Sequence, residues 1–373
     1  MSIYRRLMMN NSIKTNFFYA NKIFLCTLIC LLILPTVFIS TAGQQSGDVP
    51  VDGIAATAHP LASQAALEIL KKGGNAIDAA VAAAFAVGVV EPDGSGLGGG
   101  GGMLIYLAKQ KKAVYINYYP KASSKINEIN FNPKIDSKTA KAILVPGTVA
   151  GLTLALEKFG TLPLSTVLQP AIRYANDGFA IDETLSKIIL DNIEMLQKYP
   201  STEKIYLRDG FPLGMGDTIK QAELAQTFRL ISEKGRAGFY DGEVAKKIVD
   251  DVTIEGGAIT LGDLHDYAAD IAEPVEGSYR GYKIYSASAP HSGSTVIEIL
   301  NILENENLQK LGHFSQSAEC LHLMAEAMRR AYADRMAYLD DPKFEHIPIK
   351  GLTSKAYAKN RFTDIDRNIV EPK

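Results

Sequence analysis

Gly94-Ser95-Gly96-Leu97-Gly98-Gly99-Gly100-Gly101-Gly102 is the stretch on which the fold turns. Before it, His59-Pro60 opens an apolar-periodic run to Lys72, followed by Gly73-Gly74-Asn75 and an Ala/Val-rich run from Ala76 to Val90. After it comes Met103-Leu104-Ile105-Tyr106-Leu107. The order predicts a helix, a glycine stop, a second helix, a glycine loop and a strand. Small residues at this density cannot fill a core. They suit a backbone that takes left-handed angles, or one that another backbone, side chain or ligand approaches closely.

Gly94, Gly96 and Gly99 formally match G-x-G-x-x-G, but a dinucleotide loop needs a strand before it and a helix after it, and the order here is reversed. A phosphate-cradling loop would end in Gly-Lys-Ser/Thr, and Gly102 is followed by Met103. By itself the tract is a tightly packed or flexible turn.

A chain of 373 residues with 47% hydrophobic content can bury a large core, in one big domain or two ordinary ones. The formal net charge of −2 argues against a general nucleic-acid binder. Residues 1–45 read as targeting sequence: Arg5, Arg6, Lys14 and Lys22 precede an uncharged apolar segment over residues 23–39, and Ser40-Thr41-Ala42-Gly43 offers small residues to a signal peptidase. An export signal is the first reading. An uncleaved membrane anchor through residues 23–39 is the second, since the segment is short for a span and contains Pro35. The protein is therefore expected to be periplasmic, secreted or membrane-anchored. Cys26 and Cys30 fall in this leader, which leaves Cys320 as a buried small hydrophobe without a disulfide partner.

Residues 44–50 form a polar tether, and Gly53 to Ala58 alternates weakly and reads as a first strand. Met103–Leu107 and Ala113–Tyr118 read as a hairpin across a basic turn, and Tyr119 to Leu144 as a long surface loop. Helical patterns follow at Pro146–Lys158, Leu164–Asn176, Glu183–Lys198, Gln221–Lys234 and Glu243–Ile254, and Thr260-Leu261-Gly262-Asp263 resembles a capping box. A helical layer therefore occupies the middle. Strands return at Pro274–Tyr279 and Tyr282–Ala287, then a helix from Ser292-Gly293-Ser294 to Glu304. The longest helix is expected over Ser317–Leu339, with Leu321, Met324, Ala325, Met328, Ala331, Tyr332 and Leu339 on its apolar face and Arg329, Arg330, Asp334 and Arg335 off it, solvated or salt-bridged.

No metal site is expected, because the six histidines are scattered with neither H-E-x-x-H nor paired cysteines. His59 before Pro60 reads as a hydrogen-bonded turn residue. A serine-hydrolase elbow, G-x-S-x-G, is absent, and no cofactor is implied.

The tract nonetheless has company. His59-Pro60-Leu61-Ala62-Ser63, Gly73-Gly74-Asn75-Ala76-Ile77-Asp78-Ala79-Ala80-Val81-Ala82, Glu91-Pro92 and Ser95-Gly96-Leu97-Gly98-Gly99-Gly100 resemble the large-subunit opening of the gamma-glutamyltransferase family. Val145-Pro146-Gly147-Thr148-Val149-Ala150-Gly151, Leu168-Gln169-Pro170-Ala171-Ile172, Gly235-Arg236-Ala237-Gly238-Phe239-Tyr240 and Ala331-Tyr332-Ala333-Asp334-Arg335 extend the resemblance in the family's order, over roughly Asp52 to Arg361. It implies an α+β fold, the large-subunit half of the four-layer αββα sandwich of N-terminal-nucleophile hydrolases, within residues 46–373. It also implies the chemistry. A precursor cuts itself in two, and the new amino-terminal threonine of the small subunit, with its own amine as base, attacks a gamma-glutamyl amide. That threonine and its oxyanion hole belong to the small subunit, so no catalytic residue is assigned here and a small-subunit partner is expected.

The family's large subunit also carries an arginine before a proline, in Asp-Tyr/Phe-Arg-Glu, that grips the α-carboxylate of the glutamyl group. The matching stretch here, Ile116-Asn117-Tyr118-Tyr119-Pro120-Lys121-Ala122, is shorter and lacks it. Tyr119 stands nearest the arginine's position and Lys121 is the nearest cation, so these two are the candidate substrate-binding residues. Losing a buried guanidinium from a carboxylate site costs about 2–5 kcal/mol, and lysine is not an equal replacement. Either glutamyl specificity is weakened or another residue has taken over. Three functions follow from the resemblance: an exported gamma-glutamyltransferase or glutathione hydrolase needing a small subunit; a capsule-type poly-gamma-glutamate depolymerase or transpeptidase; or an inactive remnant or binding protein.

Overall fold

The computed structural model describes residues 53–367. The leader, its apolar segment at residues 23–39 and the polar tether lie outside the described residues. Gly53 to Ala58 is not a strand: it runs as irregular chain, with Ile54 in solvent and no strand pairing its backbone among the described residues.

The first two helices follow the sequence closely. Helix α1 (Pro60–Lys71) starts at His59, whose Nδ1 accepts the Leu61 N–H at 3.1 Å, so this histidine is a helix cap. Helix α2 (Ala76–Val90) starts at Asn75 with a reciprocal capping box: the Asn75 side chain accepts from Ile77 N and Asp78 N, and Asp78 accepts from Asn75 N. Because α2 is apolar almost all round, most of it is buried, and only the face of Ala76 and Ala80 is exposed. Its Ala79, Val81, Ala82, Phe85, Ala86 and Val89 sit at the centre of the main core.

The glycine loop leads into strand β1 (Gly101–Leu107), which pairs antiparallel with β2 (Lys112–Tyr118) in the register Gly101↔Tyr118, Leu104↔Tyr115 and Leu107↔Lys112. Residues 119–147 form the long loop expected, carrying only short helical turns at Pro133–Asp136 and Ala140–Ala142. Helix α3 (Thr148–Phe159) then lies directly on β2. Gly147 and Gly151, one turn apart, make this possible: a Cβ at Gly147 would fall 2.1 Å from Tyr118 O, and one at Gly151 2.2 Å from the Tyr118 ring. Helices α4 (Gln169–Asp177), α5 (Ala222–Lys234) and α6 (Gly242–Ile254) complete the middle layer. The continuous pattern read over Leu164–Asn176 is broken at Leu168, and that over Glu183–Lys198 at Asn192.

Thr260 and Asp263 do form a capping box, and the chain then enters β3 (Asp270–Ala272), which adds to the free edge of β2. The sheet order is β1-β2-β3. One face of it, through Met103, Ile105, Ile116 and Tyr118, packs on the helical core. The other face carries Leu104 and Tyr106, 45% and 57% exposed. A face left partly open, with Leu104 and Tyr106 exposed although their partners Tyr115 and Ala113 are buried, beside a fully packed one fits half a sandwich.

A hairpin of β4 (Val275–Tyr279) and β5 (Tyr282–Ser286) turns at Arg280-Gly281 as read. Helices α7 (Gly293–Leu303), α8 (Ala318–Tyr338) and α9 (Lys355–Thr363) enclose a second, smaller core of Ile302, Leu303, Leu323, Ala327 and Ala358. Here the expected apolar face of α8 is corrected. Leu321, Met328 and Tyr332 are exposed, whereas Cys320, Leu323, Ala327, Arg330, Ala331 and Asp334 are buried. Arg330 and Asp334 can be buried because each has a charged partner: Arg330 pairs with Glu326, and Asp334 takes Arg361 at 3.0 Å and the Tyr357 hydroxyl at 2.8 Å. Among the described residues no helix is long and apolar enough to cross a membrane.

Candidate functional site

The glycine loop is held against the start of α3. Gly99 O accepts N–H bonds from Gly147 at 2.8 Å and Thr148 at 3.1 Å, satisfying donors that the helix start leaves free. No glycine of the tract has positive φ, so left-handed backbone is not the reason for this density. Close approach is, but only in its second half. A Cβ at Gly100 would lie 2.5 Å from Pro120 Cδ, and one at Gly102 1.9 Å from the Tyr115 hydroxyl, whereas Gly94, Gly96 and Gly98 face open space. The tract thus lets the Tyr118–Lys121 segment lie on β1, which places both candidate residues.

Tyr119 and Lys121 flank Pro120 and line one small cleft of about 70 Å³ with Asn117, Tyr267, Asp270 and Lys343. Tyr119 is exposed. Its carbonyl accepts from the Tyr267 hydroxyl at 2.9 Å and its N–H donates to Asn117 Oδ1 at 3.1 Å. Lys121 is less free than a surface lysine. Its backbone bridges Val145, its Nζ donates to Ala268 O at 3.1 Å, and the same Nζ stands 4.7 Å over the Tyr267 ring. Burial, with Lys343 beside it, pulls the ammonium below the ordinary lysine range. Tyr267 stacks on Tyr240, whose hydroxyl donates to Pro146 O and accepts from Ala150 N, so the cleft floor is tied to α3.

Sequence reasoning missed a neighbour of Tyr119 and Asn117. His291, just before α7, meets the Tyr119 ring edge-on at 4.8 Å and the Tyr115 ring at 5.6 Å, with Nε2 3.4 Å from Asn117 Oδ1. Burial and the nearby Arg335 charge push His291 below the ordinary histidine range, which favours its neutral form. Arg335, in the last turn of α8, reaches Ser292 Oγ at 2.9 Å. No local spacing links Tyr119, His291 and Arg335, which come from three distant segments; only the fold brings them together. Among the described residues no cluster of three metal-ligating side chains occurs, and Cys320 is buried and unpaired.

The Gamma-glutamyltranspeptidase family model matches residues 62–373. The chain belongs to this family. It is 42% identical over 331 residues to the "Glutathione hydrolase proenzyme" of Escherichia coli (strain K12), covering 86% of this chain and 56% of that relative. Among solved structures, the Helicobacter pylori gamma-glutamyltranspeptidase superposes with a TM-score of 0.82 at 41% identity, covering 86% of this chain and 93% of the other. The Bacillus anthracis transpeptidase enzyme CapD superposes at 0.69 with 33% identity, covering 82% and 98%. The chain therefore spans just over half the length of the curated relative it matches. The family confirms the α+β, N-terminal-nucleophile fold in its large-subunit portion, with the helical layer on the packed face of the sheet.

Proposed function

We propose that this polypeptide forms the large-subunit walls of an exported gamma-glutamyl hydrolase or transferase acting on glutathione-type peptides, with the attacking threonine supplied by a small subunit. The observation that carries this reading is the half-open sheet. Its packed face rests on the helical core, and its other face bears Leu104 and Tyr106 and, through Asn117 and Asp270, borders the cleft that Tyr119 and Lys121 also line. Relatives named as proenzymes support a two-part assembly. In this reading the threonine hydroxyl adds to the γ-carbonyl, its proton passing to the threonine's own amine. Collapse breaks the amide bond and returns that proton to the leaving amine, and water or an acceptor amine then resolves the acyl-enzyme.

Tyr119 and Lys121 are the substrate contacts proposed from this chain. Lys121, still exposed but held by Ala268 O and the Tyr267 ring, supplies a positive charge, and Tyr119 an exposed aromatic wall. The leader is read as the export signal or anchor, which places the site outside the cytoplasm.

The test is co-expression of the full chain with the small-subunit portion of a close family member, assayed on L-gamma-glutamyl-p-nitroanilide. Hydrolysis by the pair, absent from either part alone, is the expected outcome. Lys121→Gln should raise KM about tenfold with a smaller change in kcat. A pair that assembles yet leaves the anilide intact overturns the reading, as does hydrolysis by this chain alone.

A further inference from the structure

Helix α8 is built inside out for a helix that faces water. Its inner side buries Glu326, Arg330 and Asp334, each with a charged partner, whereas Leu321, Ala325, Met328, Tyr332 and Met336 are exposed. Glu319 is the one charged residue among the exposed positions of this 21-residue helix, and it is bound to Arg367 at 2.6 Å. The half-buried polar groups at the rim are held by their own chain: Arg329 by Glu326 at 2.8 Å, Arg335 by Ser292 Oγ at 2.9 Å and His322 by the Asp366 carbonyl at 2.9 Å. Steps of four, three, four and four residues set Leu321, Ala325, Met328, Tyr332 and Met336 in one ridge, about 22 Å long at the helical rise.

We propose that this ridge is the contact of a weak two-fold dimer of the chain, with the two α8 helices antiparallel about an axis at Met328. The order of side-chain sizes selects this occupant, because the ridge then matches itself. Leu321 of one copy lies opposite Met336 of the other, small Ala325 opposite large Tyr332, and Met328 beside its own mate. A parallel pairing would set Tyr332 on Tyr332 and Ala325 on Ala325, a bulge followed by a gap. Antiparallel helices also bring opposite dipole ends together, and a formal net charge of −2 opposes self-association only weakly. The area suffices. Leu321, Met328, Tyr332 and Met336 are 53%, 46%, 56% and 83% exposed, with Tyr338 exposed beside them. Together they offer roughly 500 Å² per copy, so the pair covers about 1,000 Å², the lower limit of a specific interface. The dimer goes beyond the enzyme reading and does not depend on it. Helix α8 packs with α7 and α9 around the smaller core, whereas Leu104 and Tyr106, on the face left for a small subunit, belong to the sheet.

The test follows the full chain by sedimentation velocity up to about 100 μM, where an interface of this size should give a monomer–dimer equilibrium with a roughly micromolar Kd. Met328→Lys, which brings two like charges to the axis, should weaken it at least about tenfold. Ala325→Tyr and Tyr332→Ala should each weaken it several-fold, and the two together should restore it, because the exchange of sizes keeps every pair matched. A merely sticky surface would instead bind more tightly with Ala325→Tyr. The register is read by a short bis-maleimide linker in a background of Cys26→Ser, Cys30→Ser and Cys320→Ala. Met328→Cys should cross-link, as should Leu321→Cys combined with Met336→Cys, whereas Met336→Cys alone should not, its mate lying about 22 Å away along the helix. No dimer at about 100 μM, association unchanged by Met328→Lys, tighter association in Ala325→Tyr, or cross-linking through Met336→Cys alone would each overturn the dimer. So would a small-subunit portion that dissociates it on binding, since α8 would then be that partner's seat. Anilide hydrolysis reports on the enzyme reading alone and sedimentation on the dimer alone, so the two fail separately.

Discussion

Two buried carboxylates show how differently the two ends of the molecule are finished. Asp78, on α2, is 0% exposed and accepts from Thr161 N, Thr161 Oγ1, Leu162 N and Asn75 N. Burial alone would raise its pKa, but these bonds, led by those of Thr161, outweigh it and hold the group below the usual carboxylate range. Glu298, on α7, is 1% exposed, one of its oxygens has no partner among the described residues, and burial together with Asp334 pushes it up to about 8. The first closes a core. The second is buried between α7, α8 and α9, facing Asp334, Arg361 and Tyr357, in a part of the fold where several polar side chains lack partners among the described residues.

The largest expected effect breaks the closed end. Asp78→Ala leaves several buried donors of the Asn75 and Thr161 turns without an acceptor, and should cost at least about 3 kcal/mol in chemical denaturation. The pH dependence follows from the depressed value. The stabilisation is present above the unfolded pKa of about 3.9 and is lost as pH falls through the folded one. An Asp78→Ala chain that melts like the parent would show that the turn bonds are not what holds α2 to α3.

Glu298→Gln sharpens the same comparison with the opposite sign. Glu298 is raised in the folded state, so its protonated form stabilises the fold fully below the unfolded pKa of about 4.3. That contribution is lost as pH rises towards about 8. An amide keeps a donor towards Asp334 without the ionisation. The variant should therefore match the parent near pH 5 and exceed it by about 1–3 kcal/mol near pH 9. Tyr357 and Arg361 on α9 and Asp334 on α8 face this group, so identical pH profiles in both chains would mean that these neighbours already absorb its charge.

How much of this was legible in the sequence depends on how local each feature is. The Asn75 capping box, the β1–β2 hairpin, the Thr260–Asp263 cap and the bounds of α2 and α8 lie within a few residues of the groups that cause them, and the structure agrees. The Tyr119–Lys121 segment is singled out only by its resemblance to the family's arginine stretch before a proline, and its part in binding stands as a proposal. The buried face of α8 was not legible. Leu321, Met328 and Tyr332 form the more apolar stripe, but the partners that bury Arg330 and Asp334 are Glu326 and, from a separate helix, Tyr357 and Arg361. His291 escaped for the same reason: it is ordinary in its own segment and meets the Tyr115 and Tyr119 rings only when the start of α7 is brought to β2. The glycine tract was half-legible, since close approach governs Gly100 and Gly102 but not Gly94, Gly96 or Gly98.

That last contrast yields the next effect in size. Gly100→Ala must push Pro120 or the Tyr118 carbonyl aside and should cost about 1–3 kcal/mol, whereas Gly98→Ala meets nothing within 4 Å and should stay within about 0.5 kcal/mol of the parent. Equal losses at the two positions would mean that loop entropy, rather than packing on Pro120, sets the demand for glycine.

The smallest effect on stability is expected where the open end is most exposed. Leu321, Met328, Tyr332 and Met336 lie along the solvent side of α8, and none of them contributes to the small core beneath. Apolar side chains grouped on a helix face drive association when nothing covers them. Met328→Lys combined with Met336→Lys should therefore lower the self-association of the full chain, read by sedimentation velocity, while leaving its denaturation midpoint within about 0.5 kcal/mol of the parent. If association instead falls only when Leu104 or Tyr106 is made polar, the sheet face rather than α8 is the surface that seeks a partner. The two possibilities place the missing cover on different sides of the cleft. With the sheet face, the partner would close over Tyr119; with α8, it would first meet the helix that carries Arg335.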